Sequence, residues 1–275
     1  MNKLTPYLKP APCEYHDEDH TYTSKEDGKL WPGVTSITEN LNKPYLASWA
    51  AKMMWAEMTG KRKELAKMTD KEYEAFILEA KSAHRKKKEE AADSGTLAHE
   101  YIENYINKTK LAEERVKKIK ADVNAMSAIR QFLKWEKSER VEWLASDTVV
   151  GSQMHEFGGR LDAIANINSI LTLVDFKTSN QISQEYFLQT AGYQIALEEM
   201  GLVPLQRYIL RIPKDGNEFE VCTVKTPYEL DSMGFLALRQ VQRVLSYYNN
   251  LNHEVKDENG KVKVDKRVEK TKPKK

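Results

Sequence analysis

Cysteine is almost missing from this 275-residue chain: Cys13 and Cys222 are the whole complement. Two thiols cannot build a disulfide framework, a four-cysteine zinc site or a cysteine-held iron–sulfur cluster, so a reducing, cytoplasmic setting is expected. Long hydrophobic runs are missing too. No segment approaches the roughly 18 consecutive apolar residues of a membrane span, and Met1-Asn2-Lys3-Leu4-Thr5-Pro6 lacks the apolar core of a secretory signal, which leaves no case for a membrane partner. Net charge is equally scarce. With 43 basic against 41 acidic residues the balance is +2, so any argument for a nucleic-acid partner has to come from local clusters. What remains is a length and a 40% hydrophobic content sufficient for one large domain or two small ones with an apolar core.

The pattern along the chain divides in two. His20-Thr21-Tyr22-Thr23, the turn Asp27-Gly28 and Lys29-Leu30-Trp31 read as a short hairpin. From about residue 35 to 140 the periodicity is helical, with an apolar face from Ile37, Leu41, Leu46, Trp49, Met53 and Met54, a break at Pro44, a stop at Gly60, and a capping box from Thr69 to Glu72. The charged run 81–90 reads as a solvated helix face, with a phosphate contact as the second reading. From 141 to 225 strands dominate, at 141–150, 155–165, 169–178, 207–212 and 219–224, interrupted by a helix over about 183–200, and Lys214-Asp215-Gly216-Asn217 serves as a turn. A last helix is expected over 227–250. Residues 1–255 are thus taken as a single domain, and the lysine-rich stretch 256–275 as a basic, disordered tail.

Four short segments carry the candidate chemistry. In Asp175-Phe176-Lys177 the strand period of two puts Asp175 and Lys177 on one face, while Val174, Phe176 and Thr178 take the other. Upstream, Gly158-Gly159-Arg160-Leu161-Asp162 is joined to it by the short turn Asn166-Ile167-Asn168. A hairpin there brings Asp162 beside Asp175, and two carboxylates with a neighbouring lysine suit a hard cation. Arg160 shares the face of Asp162, and Gly158 and Gly159 leave room for backbone or substrate to come close. On a helix, His99 and Glu103 of Gly95-Thr96-Leu97-Ala98-His99-Glu100-Tyr101-Ile102-Glu103 are neighbours at i and i+4, as are Gln189 and Tyr193 in a later one. Each segment alone has an ordinary structural explanation: an ion pair, a turn, a surface histidine, an amphipathic helix.

In order, the four resemble the PD-(D/E)XK nuclease superfamily, specifically its RecB-like exonuclease branch, as Gly95…His99, Gly159…Asp162, Asp175-Phe176-Lys177 and Gln189…Tyr193. Leu30-Trp31-Pro32-Gly33-Val34-Thr35-Ser36-Ile37 is similar to the opening segment of the mitochondrial genome maintenance exonuclease and related phage enzymes. The resemblance implies an α/β, restriction-endonuclease-like core: a small mixed sheet flanked by helices, with an N-terminal helical block. It implies that Asp162, Asp175, His99 and the carbonyl of Phe176 bind a catalytic Mg²⁺, with Mn²⁺ accepted and no iron–sulfur cluster. Lys177 would orient or activate the attacking water. Gln189 and Tyr193 would position the DNA strand; outside the pattern, Arg160 is expected as a further DNA contact from the face of Asp162, and Glu103, with no family role, as a residue behind His99. The expected activity is metal-dependent DNA cleavage, exonucleolytic on single-stranded or frayed ends, in phage or bacterial replication, recombination or DNA degradation. A structure-specific endonuclease and a non-catalytic DNA-binding protein on the same scaffold are the alternatives.

Overall fold

The computed structural model describes residues 3–4, 7–179, 181–212, 219–250, 254–256 and 262–264; for 86–93, 249–250 and the last two stretches it describes the backbone alone. Three short strands come first, β1 (Cys13–His16), β2 (Thr21–Ser24) and β3 (Leu30–Trp31), paired antiparallel in that order. The β2–β3 pair is the hairpin expected around Asp27-Gly28, where Gly28 has φ +70°. β1 adds to it, setting Tyr15 opposite Tyr22.

Six helices follow: α1 (Val34–Thr38), α2 (Tyr45–Gly60), α3 (Arg62–Leu65), α4 (Asp70–Asn107), α5 (Glu113–Ala121) and α6 (Val123–Ser138). The capping box forms as the sequence leads one to expect: the Thr69 N–H donates to Glu72 Oε2 at 2.8 Å and the Glu72 N–H to Thr69 Oγ1 at 3.4 Å. The apolar face expected of α2 does not reach a core. That helix buries none of its residues; Leu46 is exposed, and Trp49, Met53 and Met54 are half-buried. Its main neighbour is the first part of α4, another amphipathic helix, and two such surfaces cover each other only partly. Of the charged run 81–90, the side chains of 86–90 lie outside the described residues.

The remainder is β4 (Val141–Ser152), β5 (Phe157–Ile167), β6 (Ile170–Lys177), α7 (Gln184–Glu199), β7 (Gln206–Arg211), β8 (Glu220–Thr223) and α8 (Tyr228–Asn250), with a small antiparallel pair, β9 (Glu254–Lys256) and β10 (Val262–Val264). That pair falls in and beside the stretch read as a tail; the rest of the tail, and the turn 214–217, lie outside the described residues. One five-stranded sheet runs in the order β4-β5-β6-β7-β8, antiparallel except for β6 and β7. Those two are parallel because α7 returns the chain to the starting edge between them.

Side chains alternate across this sheet, so each face needs its own helical cover. Val174, Phe176 and Leu210 pack with Ile102, Ile129 and Phe132 of α4 and α6. Ile164 and Leu173 pack on the opposite side with Ile37, Leu197 and Phe235 of α1, α7 and α8. A mixed sheet between two helical layers is the architecture of a restriction-endonuclease-like core, and the elements of the expected helical block stand where the periodicity put them.

Candidate active site

The β5–β6 hairpin creates the site. Its turn is made by Asn168 and Ser169, both left-handed at φ 51° and 68°, and the ladder runs from Ile167↔Ile170 to Ala163↔Val174. There it stops. The next N–H, that of Phe176, donates to Oδ2 of Asp162 at 2.7 Å, while β6 stays paired with β7 through Lys177↔Arg211 and β5 stays paired with β4. A side chain has replaced a backbone partner, and the sheet forks between β5 and β6. The fork lies at the carboxyl end of β6, where its neighbour changes from antiparallel β5 to parallel β7, the kind of position where sheet proteins place ligands.

Into the fork point Asp162, Asp175 and Lys177, and α4 brings His99. His99 Nε2 lies 3.3 Å from Asp162 Oδ1, and its Nδ1 lies 3.0 Å from Glu103 Oε1 one turn along. Lys177 Nζ meets Asp175 Oδ2 at 2.6 Å, without the alignment of a hydrogen bond, and stands 5.0 Å from the centre of the Tyr186 ring. Asp175 is only 1% exposed. Burial pushes its carboxyl up to about 6, with Asp162 adding to the shift and Lys177 opposing it. Asp162 moves the other way: burial opposes, but the His99 ring, Lys177 and the Phe176 N–H hold it below the usual range. Lys177 is raised, since Asp175 and Asp162 outweigh the cost of burying its charge, so at neutral pH it is an ammonium, a donor rather than a base.

Burial also works against a charged His99, yet Asp162 and then Glu103 prevail and lift it to about 10. Between the ordinary imidazole value of about 6.5 and that figure, the folded protein holds a proton that the unfolded chain has lost. His99 therefore contributes stability that is complete below about pH 6.5 and disappears as the pH rises toward 10, with a slope approaching about 1.4 kcal/mol per pH unit. Urea unfolding of the metal-free protein at pH 6, 7, 8 and 9 should show this decline, and His99→Gln should flatten it. An equally steep decline in His99→Gln would place the responsible proton elsewhere.

The other expected site residues are nearby, in different circumstances. Gln189 and Tyr193 are nearly buried and bonded together: the Gln189 amide donates to Tyr193 Oη at 3.1 Å and lies 3.3 Å from Thr35 Oγ1. Arg160 forms ion pairs with Asp147 and, at 3.2 Å, with Asp17. The room left by the glycines is taken by protein. A Cβ on Gly159 would come within 2.8 Å of the Tyr193 ring and 3.0 Å of Val34, and one on Gly95 would collide with Thr178. Gly159→Ala is therefore expected to destabilise the fold by about 1–3 kcal/mol and displace Tyr193, visible as a lower melting temperature. Gly159→Ala with unchanged melting would contradict this packing.

Two further residues take part. Tyr186 could have been found, because it lies on the same face of α7 as Gln189 and Tyr193, at i, i+3 and i+7. Thr35 stands in the opening segment 30–37 singled out from the sequence, but its contact with Gln189, 154 residues away, could not be read there.

Among the described residues no three His, Cys, Asp or Glu side chains converge closely enough to enclose an ion by themselves. The donor chemistry suits a hard divalent cation all the same: two carboxylates, and an imidazole once a cation displaces its proton, with Oδ1 of Asp175 buried and without a hydrogen-bond partner. An orphaned carboxylate oxygen in the interior is costly unless something cationic is meant to meet it.

The candidate exonuclease from Eubacterium rectale is a structural neighbour at 10% identity and a TM-score of 0.41, covering 66% of this chain and 76% of its own. An alkaline exonuclease from Laribacter hongkongensis is another, at 13% identity and 0.28, covering 51% and 76%. Both are too distant for function to be read across. No curated protein matches in sequence. The sequence model of the PD-(D/E)XK nuclease superfamily matches residues 72–260, over two thirds of the chain, and so the protein belongs to that superfamily.

Proposed function

We propose that the protein is a divalent-metal-dependent deoxyribonuclease of the RecB-like exonuclease branch, removing nucleotides from single-stranded or frayed DNA ends in phage or bacterial replication, recombination or DNA degradation. The observation that carries this reading is the fork itself, where His99 reaches Asp162 from α4, Lys177 faces Asp175 on β6, and an unpartnered carboxylate oxygen of Asp175 is buried.

Asp162, Asp175, His99 and the Phe176 carbonyl would hold Mg²⁺ or Mn²⁺, which supplies positive charge to an anionic phosphodiester and makes water acidic enough to attack it. Lys177, a protonated donor pinned by Asp175 and stacked on Tyr186, orients the attacking water and offsets charge growing on the phosphate. Glu103 accepts from one nitrogen of His99 and so turns the other toward Asp162. Gln189 and Tyr193 fix the alignment of the strand, and in-line attack leaves a 5′-phosphate and a 3′-hydroxyl.

The test is digestion of end-labelled single- and double-stranded linear DNA beside a closed circle, with Mg²⁺, Mn²⁺ or EDTA. Release of labelled nucleotide from linear DNA, an intact circle and silence in EDTA are expected. A linearised circle would mean an endonuclease. Tight DNA binding without cleavage in either metal would mean a binding protein.

A further inference from the structure

The N-terminal sheet is not a separate appendage. The Gly158 N–H donates to the Pro32 carbonyl at 3.0 Å, and the Tyr22 ring sits where a side chain on Gly158 would be, so β1–β3 is fastened to β5 four residues before Asp162. Between this sheet and α1 lies a depression of about 340 Å³ that reaches Tyr193 and, on β5, Gly159 and Arg160, and Arg160 stands two residues before Asp162.

Its walls are aromatic on one side and hydroxylic on the other. Tyr15 and the exposed His20 stack with ring centres 6.2 Å apart at 29°, joined by a 2.5 Å contact between Tyr15 Oη and His20 Nδ1. Thr35 and Ser36 face them, both exposed. Among the described residues of the lining the one Lys or Arg, Arg160, is already engaged: Asp147 and Asp17 take its charge, and its guanidinium carbon lies 5.1 Å over the Tyr15 ring. With Glu39 also in the lining, the depression has no surplus positive charge to offer a phosphate. It offers the exposed His20 ring, backed by Tyr15, and hydroxyls.

We propose that this depression is a stacking subsite for one unpaired nucleobase next to the scissile phosphate. The inference rests on the nuclease reading above and deepens it. A base inside a duplex keeps both faces stacked and its edge paired; a base at a single-stranded or frayed end can enter a concave site and lie against the Tyr15–His20 pair. Selection for unpaired ends would thus come from the N-terminal sheet, and the chemistry from the fork.

The experiment measures binding of short single-stranded DNA in EDTA, where no cutting is expected, at several salt concentrations, and cleavage in Mg²⁺. His20→Ala, at an exposed rim position, should weaken binding about tenfold with an unchanged salt slope, because a lost stack releases no counterions. For the wild type, an abasic nucleotide at one position beside the cut should weaken binding by a similar factor. In His20→Ala the same abasic nucleotide should cost nothing further. Tyr15→Leu should behave as His20→Ala does; if it fails to fold, the abasic series on the wild type still decides. A wild type that cuts DNA yet shows no abasic-sensitive position overturns the subsite alone, as does a salt slope that falls by one contact in His20→Ala. A wild type that cuts no DNA overturns the function proposed above and the subsite with it.

Discussion

Asp175→Asn is expected to lower the rate of DNA cleavage on the order of 10³-fold while leaving the far-ultraviolet circular dichroism unchanged. Asparagine has nearly the same volume, and position 175 is fully enclosed, so the sheet can keep its packing. What is lost is a charge at the place where an anionic phosphate needs a cation held beside it, and removal of one electrostatic group of that kind costs about 10²–10³-fold. The loss should be accompanied by a smaller stabilisation of the folded protein by Mg²⁺ or Mn²⁺, read as a reduced metal-induced thermal shift, because ligand binding stabilises only in proportion to affinity. Single-turnover cleavage by purified Asp175→Asn within tenfold of the wild type would remove Asp175 from the reaction.

Lys177→Ala should abolish cleavage as well, and it should reveal itself in stability. Removal of the ammonium leaves the Asp175 carboxylate enclosed without the group that faces it at 2.6 Å, and breaking a buried pair in this way costs about 3–5 kcal/mol. The cost belongs to the ionised form. Asp175 already titrates near 6 with the lysine present, and without it burial pushes the carboxyl higher, so protonation at pH 5 removes most of the penalty. Urea unfolding should therefore show a large deficit for Lys177→Ala at pH 8 and a small one at pH 5. Equal deficits at the two pH values would mean that the lysine matters here through its aliphatic stem.

The hairpin, the alternation on β6 and the meeting of Asp162 with Asp175 were legible in the sequence because they depend on neighbours a few residues apart. The strand period fixes which side chains share a face, and a short polar turn between two β-rich runs fixes which strands pair. Of the three residues read as the turn, Asn166 and Ile167 are the last of β5, and the chain reverses on the left-handed pair Asn168 and Ser169. The fork was not legible, because it depends on a carboxylate taking a backbone donor from the ladder, a competition that no pattern of apolar residues encodes. Arg160 shows the same limit. Beside Asp162 in sequence it reads as a cation free for a phosphate, whereas its partners Asp147 and Asp17 arrive from another strand and from the loop after β1. The apolar residues of α2 were read correctly as a helical face, but periodicity says nothing about whether that face meets a core or only another helix.

The length of α4 has a mechanical consequence. At 1.5 Å per residue its 38 residues make a rod of about 57 Å, with the capped end at Asp70 roughly 44 Å from His99. The stretch from Leu97 to Ile106 is clamped in the core, whereas the first half leans mainly on α2. The imidazole therefore sits close to the fulcrum. A tilt of 5° about the clamped segment carries the far tip through about 4 Å yet moves a residue within one turn of the pivot by less than about 0.5 Å. Whatever load or contact deflects the arm formed by α2 and the start of α4, the geometry of His99 against Asp162 is the part of the lever that travels least.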